Sequence, residues 1–296
     1  SDSIEVIGRS ADGQFGSNLF AITRGSGDAG NLRIETGRLL VRDGAQVGTG
    51  TLSEGKGGSL QVRAFESVEL IGGSADGQYP SALFTGSQGN FNPNTPGNPQ
   101  IPNGGDAGDL ILDTTRSIVR DGAQVISGTR TSGKGGMLRI TASESVELIG
   151  TTSDGLFPSG LFSANRGFDN LGNPTISNGG DADKIIIDTG RLIVRDGAVV
   201  SASTQTSGQG GILQITASDS IELSGTSPDG QHPSALITRS GDFRPNNSIV
   251  SGTGKAGNLI INTGRLLVRD RAVISSSSFG EGTAGNINIT VRDTLQ

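Results

Sequence analysis

The sequence predicts an all-β fold, a parallel β-helix (β-solenoid) in which short and long coils alternate. Three observations predict it. A 28-residue segment occurs four times without insertion or deletion, short apolar alternations fill each copy, and glycines or Asp-Gly pairs bound the alternations. Units too small to bury a core alone, with turns at fixed spacing, are typical of solenoids, in which each coil packs only on its neighbours.

The four copies span 27–54, 105–132, 180–207 and 254–281, so they start 78, 75 and 74 residues apart. A longer related unit fills each gap and begins at Gly55, Gly133, Gly208 and Gly282. Residues 1–26 match the back half of that longer unit. We therefore predict a single β-solenoid domain over 1–296, with repeat units at about 1–26, 27–104, 105–179, 180–253 and 254–296, the first and last being partial.

Both kinds of unit carry two short apolar alternations, such as Leu32-x-Ile34 followed by Leu39-x-Val41. Strict alternation indicates half-buried strands, whereas an amphipathic helix would show a 3.6-residue period. A propeller blade usually needs about 40–50 residues in four antiparallel strands, more than one 28-residue copy supplies. The turns are predicted at Asp-Gly pairs: Asp43-Gly44, Asp76-Gly77, Asp121-Gly122, Asp154-Gly155, Asp196-Gly197 and Asp229-Gly230.

The long units contain a further apolar run beginning at Pro80, Pro158 and Pro233, which predicts a third strand of the coil. Stretches rich in Gly, Asn and Pro follow. We expect these stretches not to pair in a sheet, because Pro lacks a backbone donor and Gly and Asn favour turns, and to project from the shaft as loops. Each loop carries one aromatic residue: Phe91, Phe168 and Phe243.

Two interpretations of these phenylalanines stay open. Each ring either pins its loop onto the solenoid wall or contacts a ligand, since variable loops on a fixed scaffold are where binding usually resides. Phe91, Phe168 and Phe243 are therefore the candidate ligand-binding residues.

Composition narrows the function classes. The net charge of −6 argues against nucleic acid and anionic membranes as partners. No apolar run reaches the roughly 18–20 residues that a membrane helix needs, so no membrane span is expected. The absence of cysteine excludes disulfides, thiol nucleophiles and cysteine metal sites, and suits a chain that crosses a membrane unfolded. With no signal peptide and no initiating Met, we expect a mature or excised segment.

The most tempting chemical pattern is Val-Arg-Asp-Gly-Ala, which places Arg and Asp side by side in every copy. A catalytic site is normally unique, whereas this pattern is periodic, so we expect the Asp to shape the turn and the Arg to lie outward. A second Arg column and a Glu column are interpreted in the same way, with cross-coil charge pairing. The three columns are Arg42, Arg120, Arg195 and Arg269; Arg38, Arg116, Arg191 and Arg265; and Glu69, Glu147 and Glu222.

No residue set singles out a catalytic, metal or cofactor site. The calcium-binding G-G-x-G-x-D repeat does not occur. The one histidine, His232, aligns with Phe15, Tyr79 and Phe157, which indicates a shared structural slot rather than a general base. A column of Thr51, Thr129, Thr204 and Ser278 leaves open an array for ice or a crystalline surface.

The phrases GxGGxLxITAxxSVELxG and TGRLxVRDGAxVSxxT resemble the filamentous-haemagglutinin-like exoproteins of the two-partner secretion type, most closely the large members common in cyanobacteria. The resemblance covers essentially the whole chain. It implies a right-handed parallel β-helix that is exported unfolded through an outer-membrane barrel transporter. The family's secretion domain with its NPNG-type motifs is not recognisable, and Asn92-Pro93-Asn94 is loop sequence.

From the residues and the resemblance we expect a structural and adhesive shaft segment of a secreted bacterial surface protein, extracellular or outer-membrane associated, and not an enzyme. Its expected ligand is a glycan or another cell-surface molecule. The alternative is a β-helical protein that binds or cleaves polysaccharide. Unpaired strands at both ends leave two possibilities: further sequence covers them, or copies associate end to end into an extracellular filament.

Overall fold

Each coil consists of one long and one short strand in the computed structural model, which describes residues 2–10, 15–87, 104–155, 157–165, 179–243, 249–250 and 252–295. The long strands form a first sheet, and the short strands form a second sheet. No helix occurs among the described residues. The prediction of an all-β parallel β-helix is confirmed.

The first sheet has nine parallel strands: β1 (Ser3–Ile7), β3 (Leu32–Arg42), β5 (Leu60–Ile71), β7 (Leu110–Arg120), β9 (Leu138–Ile149), β11 (Ile185–Arg195), β13 (Leu213–Ser224), β17 (Leu259–Arg269) and β19 (Ile287–Leu295). The second sheet has eight parallel strands: β2 (Asn18–Thr23), β4 (Gln46–Thr51), β6 (Ala82–Ser87), β8 (Gln124–Thr129), β10 (Gly160–Asn165), β12 (Val199–Thr204), β14 (Ala235–Ser240) and β18 (Val273–Ser278).

Neighbouring strands in each sheet come from consecutive coils, so the coils stack in chain order. Parallel strands lie about 4.8 Å apart, which makes the stack on the order of 40 Å long. The runs beginning at Pro80, Pro158 and Pro233 form strands as predicted, and these strands belong to the second sheet. The two alternations predicted for each unit join into one continuous long strand.

A β-bulge marks the join between the two alternations. The long strands have 11 residues in short coils and 12 in long coils. In the β3–β5 pair, Phe65 and Glu66 together oppose Gly37, while the pairs on either side stay in register. The hydroxyl of Thr36, beside the bulge, donates to the carbonyl of Arg38 at 3.2 Å. The bulge therefore absorbs the extra residue of each long coil without shifting the ladder.

The core consists of aliphatic columns between the two sheets. Each residue stacks on its counterpart in the next coil, and burying such a side chain stabilises the fold by roughly 1.5–3 kcal/mol. One fully buried column in the first sheet contains Leu60, Leu110, Leu138, Ile185, Leu213 and Leu259. The facing column in the second sheet contains Val47, Leu83, Val125, Leu161, Val200 and Leu236.

The threonine column of the second sheet faces the interior. Thr51, Thr129 and Thr204 are 0%, 3% and 0% exposed. Their hydroxyls make internal contacts, such as the 2.9 Å hydrogen bond between Thr204 and Thr206. The interpretation of this column as an ice- or crystal-binding surface is therefore wrong.

The turn from the first to the second sheet in each short coil uses two consecutive left-handed residues. Asp43 and Gly44 have φ of 59° and 79°, and the Asp-Gly pairs of the next two short coils repeat this geometry. This confirms the turns predicted there, since Asp and Gly tolerate positive φ best. In the fourth copy, Arg271 replaces the glycine at φ 69°.

We expect the Arg271→Gly substitution to raise the free energy of unfolding by about 1 kcal/mol, because a left-handed conformation strains a residue that has a Cβ. Urea unfolding measures the change. The matched control is Arg265→Gly in β17, where glycine is expected to destabilise by roughly 0.5–1 kcal/mol. Destabilisation by both substitutions would contradict the strain at Arg271.

The third long loop differs from prediction. β15 (Asp242–Phe243) and β16 (Ile249–Val250) pair antiparallel, with Asp242 opposite Val250. The expectation that these stretches do not pair in a sheet is therefore wrong for this loop. Pro245 stands between the two strands in the sequence and takes no ladder position, so its missing donor does not prevent the pairing.

Candidate functional site

The three predicted ligand-binding aromatics are not brought together among the described residues. Phe91 and Phe168 lie outside the described residues. Phe243 lies in β15, paired with Ile249. A ligand-contacting role for these rings stays a prediction.

The Arg and Asp of the repeated Val-Arg-Asp pattern pair with each other at the turn. Arg42 Nη1 lies 2.7 Å from Asp43 Oδ2, and Arg269 Nη1 lies 2.8 Å from Asp270 Oδ2. Both partners are about half exposed. The arrangement recurs in each copy, as expected for a turn-shaping pair, and exposed pairs contribute only about 0–1 kcal/mol.

Charge also alternates from coil to coil on the outer face of the first sheet. Glu222 pairs with Arg269 at 2.9 Å, as the predicted cross-coil compensation requires, and this hydrogen bond raises the pKa of Arg269. The second Arg column pairs instead with acids at the bulges: Arg38 with Glu66 at 3.6 Å, and Arg116 and Arg191 with Glu144 at 3.9 and 3.7 Å. These ladders compensate charge rather than concentrate it.

A different constellation stands out at the corner between the sheets. Every long coil replaces the Asp-Gly turn with a six-residue turn that ends in an aromatic residue or histidine. We call these four turns the turn column: Ser10–Phe15, Ser74–Tyr79, Thr152–Phe157 and Ser227–His232.

The same two hydrogen bonds close each member of the turn column. In the second turn, Ser74 N–H donates to the Tyr79 carbonyl at 2.8 Å, and Tyr79 N–H donates to the Ser74 hydroxyl at 3.0 Å. The first, third and fourth turns repeat both bonds, with distances between 2.7 and 3.0 Å. The terminal ring of each turn is therefore attached to a fixed backbone position. The predicted shared slot for His232 is confirmed.

A carboxylate is fixed beside the ring in these turns. Asp76 Oδ1 accepts from the Ser74 hydroxyl and, at 3.1 Å, from Gln78 N–H. Asp229 accepts equivalent bonds from Ser227 and, at 3.0 Å, from Gln231 N–H. These bonds, the serine hydroxyl first, lower the pKa of both carboxyls, so each stays charged at neutral pH.

The rings of the turn column face solvent. Phe15 is 72% exposed, Tyr79 is 40% exposed, His232 is exposed and Phe157 is half-buried. The guanidinium of Arg9 lies 3.9 Å from the centre of the Tyr79 ring. Because the turns occur in every second coil, successive rings are attached about 9–10 Å apart along the stack. The sequence aligned these residues but gave no sign that they form one exposed column.

Within the described ranges, no three histidine or carboxylate side chains gather as a metal site, and no helix is long and apolar enough to cross a membrane. Comparison of the chain with family models, with curated proteins and with solved structures found no match in any of the three. The fold and the turn column are therefore the basis for a functional argument.

Proposed function

We propose that this chain is a structural and adhesive shaft segment of a secreted bacterial surface protein. The observation that carries the proposal is the uninterrupted parallel register of both sheets through every coil. A stack in which each coil contacts only its neighbours grows in length as units are added, which is the property that an extended shaft needs.

The surface chemistry supports the same role. Charged residues recur once per repeat and pair with their neighbours, so no acid or base is set apart as a reaction centre would require. We propose that the protein is not an enzyme. Lack of cysteine is compatible with passage through an outer-membrane barrel transporter in an unfolded state, and the resemblance to two-partner secretion exoproteins favours display at the cell surface.

Electron microscopy of purified residues 1–296 tests the shaft. Separate rods on the order of 40 Å long, or end-to-end fibres of such rods, support the proposal. Insertion of a second copy of residues 105–179 is expected to lengthen the rod by two coils, about 10 Å. Particles whose length does not change with the insertion would contradict it. Incubation with neutral and acidic glycans is the second arm, and depolymerisation of any of them would overturn the non-enzymatic role.

A further inference from the structure

The turn column has the features of a linear binding surface. Its rings are solvent-facing, occur once per long coil and are fixed by backbone hydrogen bonds rather than by packing. Large exposed rings are costly to keep in water, and aromatic residues are enriched where a surface binds a ligand. Because the turns do not need to be ordered on binding, little conformational entropy is lost.

We propose that the turn column binds an extended, uncharged β-1,4-linked polysaccharide laid parallel to the stack of coils. The proposal goes beyond the shaft role and does not depend on export or display. It rests on three matches between the column and such a glycan: ring chemistry, spacing and charge.

Ring chemistry is the first match. The C–H face of a pyranose is apolar and flat, and it stacks on exposed aromatic rings such as Phe15 and Tyr79. The hydroxyl rim of the sugar needs hydrogen-bond partners. Asp76 and Asp229 use Oδ1 within their turns, and their Oδ2 atoms have no hydrogen-bond partner among the described residues, so they can accept from sugar hydroxyls. Arg9, beside Tyr79, supplies donors.

Spacing is the second match. An extended β-1,4-linked chain turns the same face to a surface at every second sugar, and two of its sugars span roughly the same length as two coils, about 9–10 Å. The four turns can therefore contact alternate sugars of one chain in a single register. An α-1,4-linked chain of the same sugar coils and cannot keep this register.

Charge is the third match. A carboxylate stands beside the ring in the second and fourth turns, and both carboxyl pKa values are lowered, so the column is negative at neutral pH. Anionic glycans are repelled by these carboxylates, whereas uncharged sugars find fixed acceptors. The ligand class is therefore a neutral polysaccharide.

The test is calorimetric titration of residues 1–296 with cellohexaose, chitohexaose and maltohexaose. We expect cellohexaose or chitohexaose to bind at least about tenfold more tightly than the corresponding disaccharide, because a hexamer spans several rings. Maltohexaose, which has the same length and sugar as cellohexaose but α linkages, is expected not to bind. Equal binding of maltohexaose, or binding of none of the three, would overturn the proposal.

Variants locate the binding surface. Tyr79→Ala combined with Phe157→Ala is expected to weaken hexamer binding by about tenfold or more, since one alanine substitution under a stacked ring commonly costs over 1 kcal/mol. Tyr79→Phe keeps the ring and is expected to retain binding. Phe65→Ala removes a ring that is 55% exposed on the first sheet, away from the column, and is the matched control. Binding unchanged in the double variant, or lost equally in the Phe65 control, would refute the assignment.

Discussion

The Gly133→Ala substitution is expected to lower the free energy of unfolding by about 2–3 kcal/mol, the cost of overpacking a close contact. Gly133 belongs to a column of glycines that begins every unit after the first residues: Gly27, Gly55, Gly105, Gly133, Gly180, Gly208, Gly254 and Gly282. A Cβ on Gly133 would overlap the carbonyl oxygen of Gly105 and lie 2.5 Å from its carbonyl carbon. These are backbone atoms of the preceding coil, so no side-chain rotation relieves the overlap.

The first glycine of the same column provides the control. Gly27 has the same place in its unit, yet a Cβ on it would meet nothing within 4 Å. We expect Gly27→Ala to change the stability by no more than about 0.5 kcal/mol, as for other surface substitutions. Chemical denaturation of both variants measures the difference. A similar loss in the two variants would show that glycine acts here through backbone flexibility and not through coil-to-coil contact.

Most of the fold could be predicted from the sequence because the repeat exposes the register. Identical spacing places Leu60 over its counterparts in every coil, and the alternation around it fixes which side chains face inward. The direction of Thr51 could not be predicted in the same way. It follows Gly48, Thr49 and Gly50, a run without contrast between apolar and polar positions, so alternation gives no inward face.

The candidate site was harder to predict than the fold. Alignment brought His232 together with Phe15, Tyr79 and Phe157, but the exposure of the rings depends on how the six-residue turn leaves the corner. That path is set by hydrogen bonds such as Ser74 N–H to the Tyr79 carbonyl, which no composition rule specifies. The pairing of β15 with β16 was missed for a related reason, since two-residue ladders form within stretches whose average composition favours turns.

Ser159→Ala is expected to lower the free energy of unfolding by about 2–3 kcal/mol, the cost of losing a buried hydrogen bond and leaving its donor unpaired. The Ser159 hydroxyl accepts from Gly122 N–H at 2.8 Å and donates to the Ile149 carbonyl at 2.7 Å. It thereby joins the left-handed turn of one coil to the end of the long strand of the next. Ser81 and Ser234 make the same two bonds in the neighbouring long coils.

Ser117→Ala is the matched control because both serines are 0% exposed. Ser117 lies between Val68 and Val146 in the first sheet, and its hydroxyl has no hydrogen-bond partner among the described residues. Removing an unpaired buried hydroxyl relieves its desolvation, so we expect stability to stay unchanged or rise by about 1 kcal/mol. Thermal or urea unfolding compares the two variants. Equal losses would mean that the volume of the buried group, and not its hydrogen bonds, determines the contribution of serine to this core.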